Sequence, residues 1–234
     1  MSNVAIIPAR GGSKRIPRKN IKEFCGKPMI AWSIEAAKEA GCFDRIIVST
    51  DDNEVKKVAL AHGAEVPFER PSDLANDHAA TLPAIRHAIE WLESSGYELE
   101  AACCLYATAP FLEASLLRQA YRKLMDEGLD FVFPATNFEF PIYRAIKTDQ
   151  DGKVEMIWPE HETTRSQDLE EAYHDAGQFY WGSQHAWLTR DRIYSSNSRV
   201  VLSPSHLVQD IDTPSDWIQA EQKFKAIRGS VHGS

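Results

Sequence analysis

The sequence predicts an α/β fold, a Rossmann-like three-layer α/β/α sandwich whose mostly parallel sheet lies between two layers of helices. Short apolar runs without polar alternation, such as residues 4–8 (VAIIP), are typical of strands that are buried on both faces. Amphipathic segments with helical periodicity alternate with these runs. Because crossovers between parallel strands are right-handed, few other topologies remain.

Strands and helices alternate along the first 135 residues. Further buried strands are predicted over residues 45–50, 101–106 and 130–134. Helices are predicted over residues 29–40 and 53–62, each followed by a glycine. Two more helices are indicated by apolar stripes: Leu82, Ile85, Ile89 and Leu92 in the first, and Leu116, Leu117, Ala120, Tyr121 and Leu124 in the second. In such a sheet, ligands bind beyond the carboxyl ends of the strands, so the loops there are expected to surround one site.

The alternation breaks over about residues 136–175, where the turn signal Asp151-Gly152 predicts a hairpin. The stretch is too small to form its own core. We therefore expect a β-rich insertion within a single domain of residues 1–228.

The regular pattern returns at residues 178–187 and 200–203. A last helix is predicted to begin at Thr213-Pro214, where a hydroxyl cap precedes a proline. Residues 229–234 show no pattern and are expected to be a disordered tail or a remnant of cloning.

The composition is that of an ordinary globular domain, since 43% of the 234 residues are hydrophobic and 26% are charged. No run approaches the ~18 consecutive apolar residues of a membrane helix, so no membrane partner is expected. The four cysteines lack CxxC spacing, and the adjacent Cys103 and Cys104 should point to opposite faces of a strand. We therefore expect reduced, buried thiols and a cytoplasmic location.

The net charge of −8 is unevenly distributed. Residues 1–30 carry seven basic side chains and one acidic side chain, a net charge of +6, whereas the remainder carries −14. The overall field does not attract nucleic acid, so no nucleic-acid partner is expected. The basic segment can still bind a compact polyanion.

The basic segment contains a glycine pair directly after the first strand, in the run PARGGSKRIPRKN at residues 8–20. Gly11 and Gly12 allow backbone N–H groups to converge on an anion, and the neighbouring cations add charge. The run matches neither a Walker A loop nor GxGxxG. It predicts a phosphate-binding loop; the alternative is a solvated basic loop.

A pair of carboxylates, Asp210 and Asp212, precedes the last helix. Alternate residues of an extended segment project to one side, so both can hold one Mg²⁺ while Ile211 points inward. The alternative is ordinary acidic charge near a helix N-terminus. Asp51 and Asp52, after the second strand, are alternative candidates for the metal-binding carboxylates. They could instead be acidic residues at the first turn of the helix that follows.

Two further groups of polar residues suggest ligand contacts. The loop at residues 70–77 offers Arg70 and several hydrogen-bonding groups before Thr81, although such loops are often only turns. The runs at residues 140–144, 165–168 and 173–181 mix cations with aromatic rings. This mixture suits a carboxylated, hydroxyl-rich ligand, and core or interface packing is the alternative.

The runs IPARGGSKRIPRKNI, FDRIIVSTDD, ERPSDLANDHAAT and DIDTPSD resemble the CMP-sialic acid synthetase family of cytidylyltransferases. The resemblance extends from about residue 3 to residue 227. It implies a nucleotidyltransferase fold with a protruding dimerisation segment, and hence a homodimer. It also implies that CTP condenses with a nine-carbon acidic sugar, releases pyrophosphate and requires Mg²⁺.

The resemblance also implies roles for individual residues. Nucleotide contacts fall on Arg10, Gly11, Gly12, Ser13, Lys14, Lys19, Asn20, Arg70, Asp77 and Thr81. Lys14 and Lys19 are expected to bind the phosphates, and Asp210 and Asp212 are expected to bind the metal. The expected catalytic residues are Lys14, Lys19 and Asp212. Of these, Asp212 is also a candidate general base.

Two runs depart from the sialic acid enzymes of bacterial type, which tend to have LLQPTSPLR and FRPNGAIY. This chain has CLYATAPF and YHDAGQFY there, and it is similar instead to the branch that makes CMP-pseudaminic acid for flagellin or surface-glycan modification. The residues expected to recognise the sugar are Tyr106, Tyr143, Arg144, Arg165, Gln167 and Gln178.

Other functions remain open on the sequence. They are a CMP-sialic or CMP-legionaminic acid synthetase, a more distant sugar-1-phosphate nucleotidyltransferase and a non-catalytic nucleotide-binding protein. The carboxylate pair Asp210 and Asp212 disfavours the last of these, because binding alone does not require a dedicated metal site.

Overall fold

A computed structural model describes residues 2–75 and 81–231. Its strands are β1 (Ser2–Pro8), β2 (Glu23–Phe24), β3 (Lys27–Pro28), β4 (Arg45–Ser49), β5 (Leu99–Leu105), β6 (Phe131–Asn137), β7 (Ile146–Thr148), β8 (Val154–Met156), β9 (Tyr173–Asp175), β10 (Phe179–Ser183) and β11 (Ser198–Leu202). Its α-helices are α1 (Met29–Ala40), α2 (Asn53–Ala61), α3 (Thr81–Ser94), α4 (Ala114–Asp126), α5 (Gln184–Thr189) and α6 (Pro214–Val231).

The central sheet has the strand order β11-β6-β10-β5-β1-β4, and β9 pairs with β6 beside this path. The strand β1 is parallel to β4 and to β5, and β11 is parallel to β6. The strand β10 is antiparallel to both of its neighbours. The predicted α/β class is therefore confirmed, but the described sheet is mixed rather than mostly parallel: three of its strand pairs are parallel and three are antiparallel, because β10 and β9 run against their neighbours.

Helices cover both faces of the sheet. One apolar cluster joins the sheet to α1, α2 and α4, and a second joins its other face to α3 and α5. Cys103 lies in the first cluster and Cys104 in the second, as their adjacency predicts. All four thiols are free.

A third apolar cluster fixes the last helix against the N-terminal segment. Trp217 and Phe224 of α6 pack edge-on against Phe24 of β2, with ring centroids 5.4 Å apart in both pairs. The buried Ile16 and Ile211 belong to the same cluster. The basic loop and the segment that carries the paired carboxylates are therefore held together by one apolar core.

The insertion contains the predicted hairpin. Strands β7 and β8 form a separate antiparallel pair, and the turn between them closes with the Gly152 N–H donating to the Asp149 carbonyl at 3.1 Å. Gly152 adopts a φ of +80°, a conformation that favours glycine.

The C-terminal helix α6 extends beyond residue 228, the predicted end of the domain. Residues 229–231 continue α6, and residues 232–234 of the expected tail lie outside the described residues. In the part of the chain that the structure describes, no helix is both long enough and apolar enough to cross a membrane.

Candidate active site

A cleft of about 650 Å³ opens beyond the carboxyl ends of β1 and β5. This is the edge of the sheet at which α/β folds bind ligands. The residues predicted for the site that line it are Arg10, Ser13, Lys14, Lys19, Asn20, Arg70, Thr81, Tyr106 and Asp212. Arg15, which was not among the predicted site residues, lines it as well. Among the described lining residues there are thus five cationic side chains and one carboxylate.

The basic loop folds back on itself after β1. The Asn20 Nδ2 donates to the Arg10 carbonyl at 2.9 Å, and the Ser13 N–H donates to the Gly11 carbonyl at 3.1 Å. The Gly11 N–H donates to the Asp51 carboxylate at 3.1 Å. These bonds turn the side chains of the loop toward one cleft, which supports the predicted anion-binding loop over a solvated one.

The carboxylate of Asp52 stabilises this loop through Arg18. It accepts two hydrogen bonds from the Arg18 guanidinium, at 2.6 and 3.0 Å, and caps α2 through the N–H groups of Glu54 and Val55, each at 2.9 Å. The pairing with Arg18 is the main reason that the pKa of Asp52 falls to about 2. Asp52 therefore acts as a helix cap, and it is not among the described residues that line the cleft.

Substituting Gly11 with alanine is expected to destabilise the fold by about 1–3 kcal/mol, because overpacking forces the surroundings to shift. A Cβ on Gly11 would lie 2.5 Å from Oδ2 and 2.8 Å from Cβ of Asp52. Thermal and urea unfolding without nucleotide measure the effect. Gly12→Ala is the matched control, since a Cβ there meets nothing within 4 Å. Equal stabilities of the two variants would contradict this packing.

Asp212 is joined to the basic loop by two cations. The Lys19 Nζ donates to Oδ1 of Asp212 at 3.2 Å and to the Ile211 carbonyl at 2.7 Å, and the Arg15 guanidinium lies 2.9 Å from Oδ2. The Asp216 carboxylate accepts the N–H groups of Asp212 and Thr213 and so fixes the start of α6. Residues 192 positions apart in sequence are thereby brought into one site.

The residues present fit a magnesium ion. The buried Ile211 separates the two carboxylates. Asp212 lines the cleft, whereas Asp210 is exposed and is not among the described residues that line it. Mg²⁺ is commonly held by one or two carboxylates, with substrate phosphates and water completing the shell. No cluster of three or more ligating side chains is found within residues 2–75 and 81–231.

Arg70 is a buried cation at the edge of the cleft. Its guanidinium donates to the Ser49 hydroxyl at 3.0 Å and to the Ser49 carbonyl, and burial lowers its pKa to about 10. Its backbone N–H donates to the Thr50 carbonyl at 2.9 Å. Thr81 begins α3 and lines the cleft. Asp77, the third residue expected at the cytidine, lies outside the described residues.

The residues expected to recognise the sugar are spread over two places. Tyr106 lines the cleft, and the buried Gln178 donates from Nε2 to the Leu207 carbonyl at 2.7 Å. Gln178 thus supports the segment that leads to Asp212.

The other four lie in the insertion, outside the described lining of the cleft: Tyr143, Arg144, Arg165 and Gln167. Arg144 donates to the carbonyls of Glu162 and Thr164, and Arg165 pairs with Asp168 at 2.6 Å. Within one chain these guanidinium groups hold the insertion together.

Comparison with known proteins agrees with the fold. A family model described as Cytidylyltransferase matches residues 4–210. The solved structure of CMP:2-keto-3-deoxy-manno-octonic acid synthetase complexed with CTP is similar with a TM-score of 0.72 at 17% identity. The similarity covers 97% of this chain and 100% of that one, and it shows a shared fold.

Two relatives are similar in sequence over nearly their whole length. The chain is 50% identical over 225 residues to the pseudaminic acid cytidylyltransferase of Campylobacter jejuni subsp. jejuni, covering 96% of this chain and 97% of that protein. It is 31% identical over 231 residues to the CMP-N,N'-diacetyllegionaminic acid synthase of Legionella pneumophila subsp. pneumophila, covering 95% and 96%. The chain therefore belongs to the cytidylyltransferase family and is a nucleotidyltransferase enzyme.

Proposed function

We propose that this enzyme condenses CTP with pseudaminic acid in a Mg²⁺-dependent reaction that yields CMP-pseudaminic acid and pyrophosphate. The observation that carries the proposal is the cleft, in which cations from the basic loop meet Asp212 at the carboxyl ends of the strands. A triphosphate matches that charge distribution. The choice of sugar is supported by the 50% identity to a pseudaminic acid cytidylyltransferase.

The proposed reaction is an in-line displacement at the α-phosphorus of CTP. The anomeric hydroxyl of the sugar acid forms the new P–O bond, and the bond to the bridging oxygen breaks as pyrophosphate leaves. Lys14 and Lys19 neutralise the charge that develops on the leaving group, and Arg15 adds a third cation. Asp212 is the candidate acceptor of the hydroxyl proton. When bound at Asp210 and Asp212, Mg²⁺ supplies further charge neutralisation at the phosphate oxygens.

The test is an assay of pyrophosphate release with CTP, Mg²⁺ and one sugar acid at a time. Pseudaminic acid is expected to give the highest kcat/KM, with sialic and legionaminic acids lower. Replacing CTP with ATP, GTP or UTP is the nucleotide control. Faster release with sialic or legionaminic acid would overturn the choice of sugar, and release only with a sugar 1-phosphate would overturn the acid class.

We also propose that the chain is a homodimer formed through its insertion. Five large apolar side chains of the insertion are exposed: Phe140, Ile146, Val154, Ile157 and Tyr173. They are half of all the exposed large apolar side chains in the described residues. Such a concentration of exposed apolar side chains in one segment suggests a surface that another subunit covers. Contact through it would also bring the insertion of one subunit toward its partner.

Phe140→Asp is expected to shift the dimer toward monomer, because the side chain is 80% exposed and a charge there would be buried at the interface. Sedimentation velocity over a range of protein concentrations measures the change. Leu60→Asp is the matched control, because Leu60 is an apolar residue of α2 that is 50% exposed outside the insertion. A wild-type chain that remains monomeric would contradict the proposal.

A further inference from the structure

The segment that carries the paired carboxylates has little regular structure of its own. Between β11 and α6 the backbone forms one short 3₁₀ turn, Ser205–Leu207, and is otherwise irregular. Carbonyls of irregular backbone have no regular ladder of partners, so side chains or water must satisfy them. Asp210 lies in this segment and is exposed, so the path of the backbone largely determines where its carboxylate lies.

Lys223 of α6 reaches back to this turn. Its Nζ donates to the carbonyl of Val208 at 2.8 Å and to the carbonyl of Ser205 at 3.2 Å. The same ammonium lies 5.7 Å from the centroid of the Phe111 ring, within the range of a cation–π contact. Hydrogen bonds from a charged donor are stronger than those between neutral groups. A single side chain therefore ties the segment to the helix that follows it.

Attachments from two other parts of the fold lie on either side of Asp210 along the chain. Ahead of it, the Gln178 Nε2 donates to the Leu207 carbonyl at 2.7 Å, and Gln178 directly precedes β10. Beyond it, the Lys19 Nζ of the basic loop donates to the Ile211 carbonyl at 2.7 Å. Leu207 and Ile211 are also buried in the third apolar cluster. The segment is therefore tied at once to α6, to the start of β10 and to the basic loop.

We propose that Lys223 is a positioning residue: it holds the backbone ahead of Asp210 and so determines where that carboxylate lies relative to Asp212 and the divalent cation. Gln178 shares this role. The inference rests on the proposed function, since it assigns both carboxylates to Mg²⁺. Lys223 is not among the described residues that line the cleft, so it is expected to act on metal binding through the backbone. Replacing a residue that orients a metal ligand typically changes metal affinity about 10- to 100-fold.

Lys223→Met tests the proposal, because it removes both hydrogen bonds and keeps most of the apolar stem. Mn²⁺, a paramagnetic substitute for Mg²⁺, is titrated into the full chain without nucleotide, and the EPR signal of free Mn²⁺ measures its affinity. We expect the dissociation constant for Mn²⁺ to rise about 10-fold, and the Mg²⁺ concentration for half-maximal pyrophosphate release to rise in parallel. Lys223→Arg can donate to both carbonyls and is expected to restore both values to within about threefold of wild type.

Lys225→Met is the matched control, because it removes the same charge from the same helix at an exposed side chain two residues away. Both metal constants are expected to stay at their wild-type values. The background Asp210→Asn gives a second comparison. If Lys223 acts through Asp210, adding Lys223→Met to that background should weaken Mn²⁺ binding by less than about twofold. An equal loss in Lys225→Met, or the full loss in the Asp210→Asn background, would overturn the positioning role.

If thermal unfolding shows that Lys223→Met does not fold, Gln178→Met takes its place, because it removes the attachment at Leu207 and leaves Lys223 intact. The dissociation constant for Mn²⁺ is again expected to rise, and an unchanged value in the folded variant would overturn the proposal. Failure of the proposed function is recognised separately. The wild-type enzyme would then release no pyrophosphate with any sugar acid, whereas Mn²⁺ binding by the free chain would still test the role of Lys223.

Discussion

Asp212→Asn is expected to lower kcat on the order of 10²–10⁴-fold, the contribution typical of a residue that accepts a proton in the transition state. The substitution keeps the size of the side chain but removes the negative charge shared by Lys19 and Arg15. It also weakens the proposed metal site. The fold should persist, because the start of α6 is fixed by Asp216 and by the buried Ile211 rather than by Asp212 itself.

Turnover at saturating CTP and sugar acid, titrated with Mg²⁺, measures this prediction. The variant should need more Mg²⁺ to reach its lower maximum, whereas thermal unfolding should change little. Asp191→Asn makes the same change in charge at a side chain that is 98% exposed, and it is expected to leave kcat unaffected. Near-normal turnover by Asp212→Asn would contradict both the metal-binding and the proton-accepting role of Asp212.

The parts of the fold that depend on local pattern could be predicted from the sequence. The buried runs of β1, β4, β5 and β6 have no polar alternation, and the glycines after α1 and α2 mark their ends. The hairpin of β7 and β8 follows from one Asp-Gly turn. In each case the signal lies within a few residues of the feature it predicts.

The features that depend on distant contacts could not be predicted in this way. The strand β10 is buried on both faces, so its side chains do not show that it runs against β5 and β6. Arg15 is one cation among several in its loop, and only its approach to Asp212 distinguishes it. The apposition of Tyr106 and Tyr180 depends on strands that pair across 74 positions, which no local pattern records.

The cations of the basic segment have different roles in the structure. Its charge of +6 predicts a polyanionic ligand, but only some of its cations line the cleft. Arg18 braces the loop through Asp52, whereas Arg10, Lys14, Arg15 and Lys19 line the cleft. A change of charge alone therefore cannot predict the effect of a substitution in this segment, because the position of each cation decides it.

Lys19→Ala is expected to lower kcat/KM for CTP on the order of 10²–10³-fold, mainly through a lower kcat, because Lys19 is proposed to neutralise the charge that develops on the leaving group. The Lys19 side chain is only 19% exposed, so its charge acts in a partly desolvated cleft, where interactions with phosphate are stronger than in water. Its Nζ also contacts the Ile211 carbonyl and Asp212, so part of the fall in kcat is expected to come from a less firmly held Asp212.

Lys22→Ala is the matched control for Lys19→Ala, because it removes the same charge from the same segment. The Lys22 Nζ lies 4.5 Å from the centroid of the Trp217 ring, and Lys22 is not among the described residues that line the cleft. Initial rates with CTP varied at saturating sugar acid compare the two variants. If both lose activity equally, the segment acts only through its total charge, whereas a loss confined to Lys19→Ala assigns the phosphate contact to that side chain. An unchanged rate in Lys19→Ala would exclude Lys19 from the phosphate site.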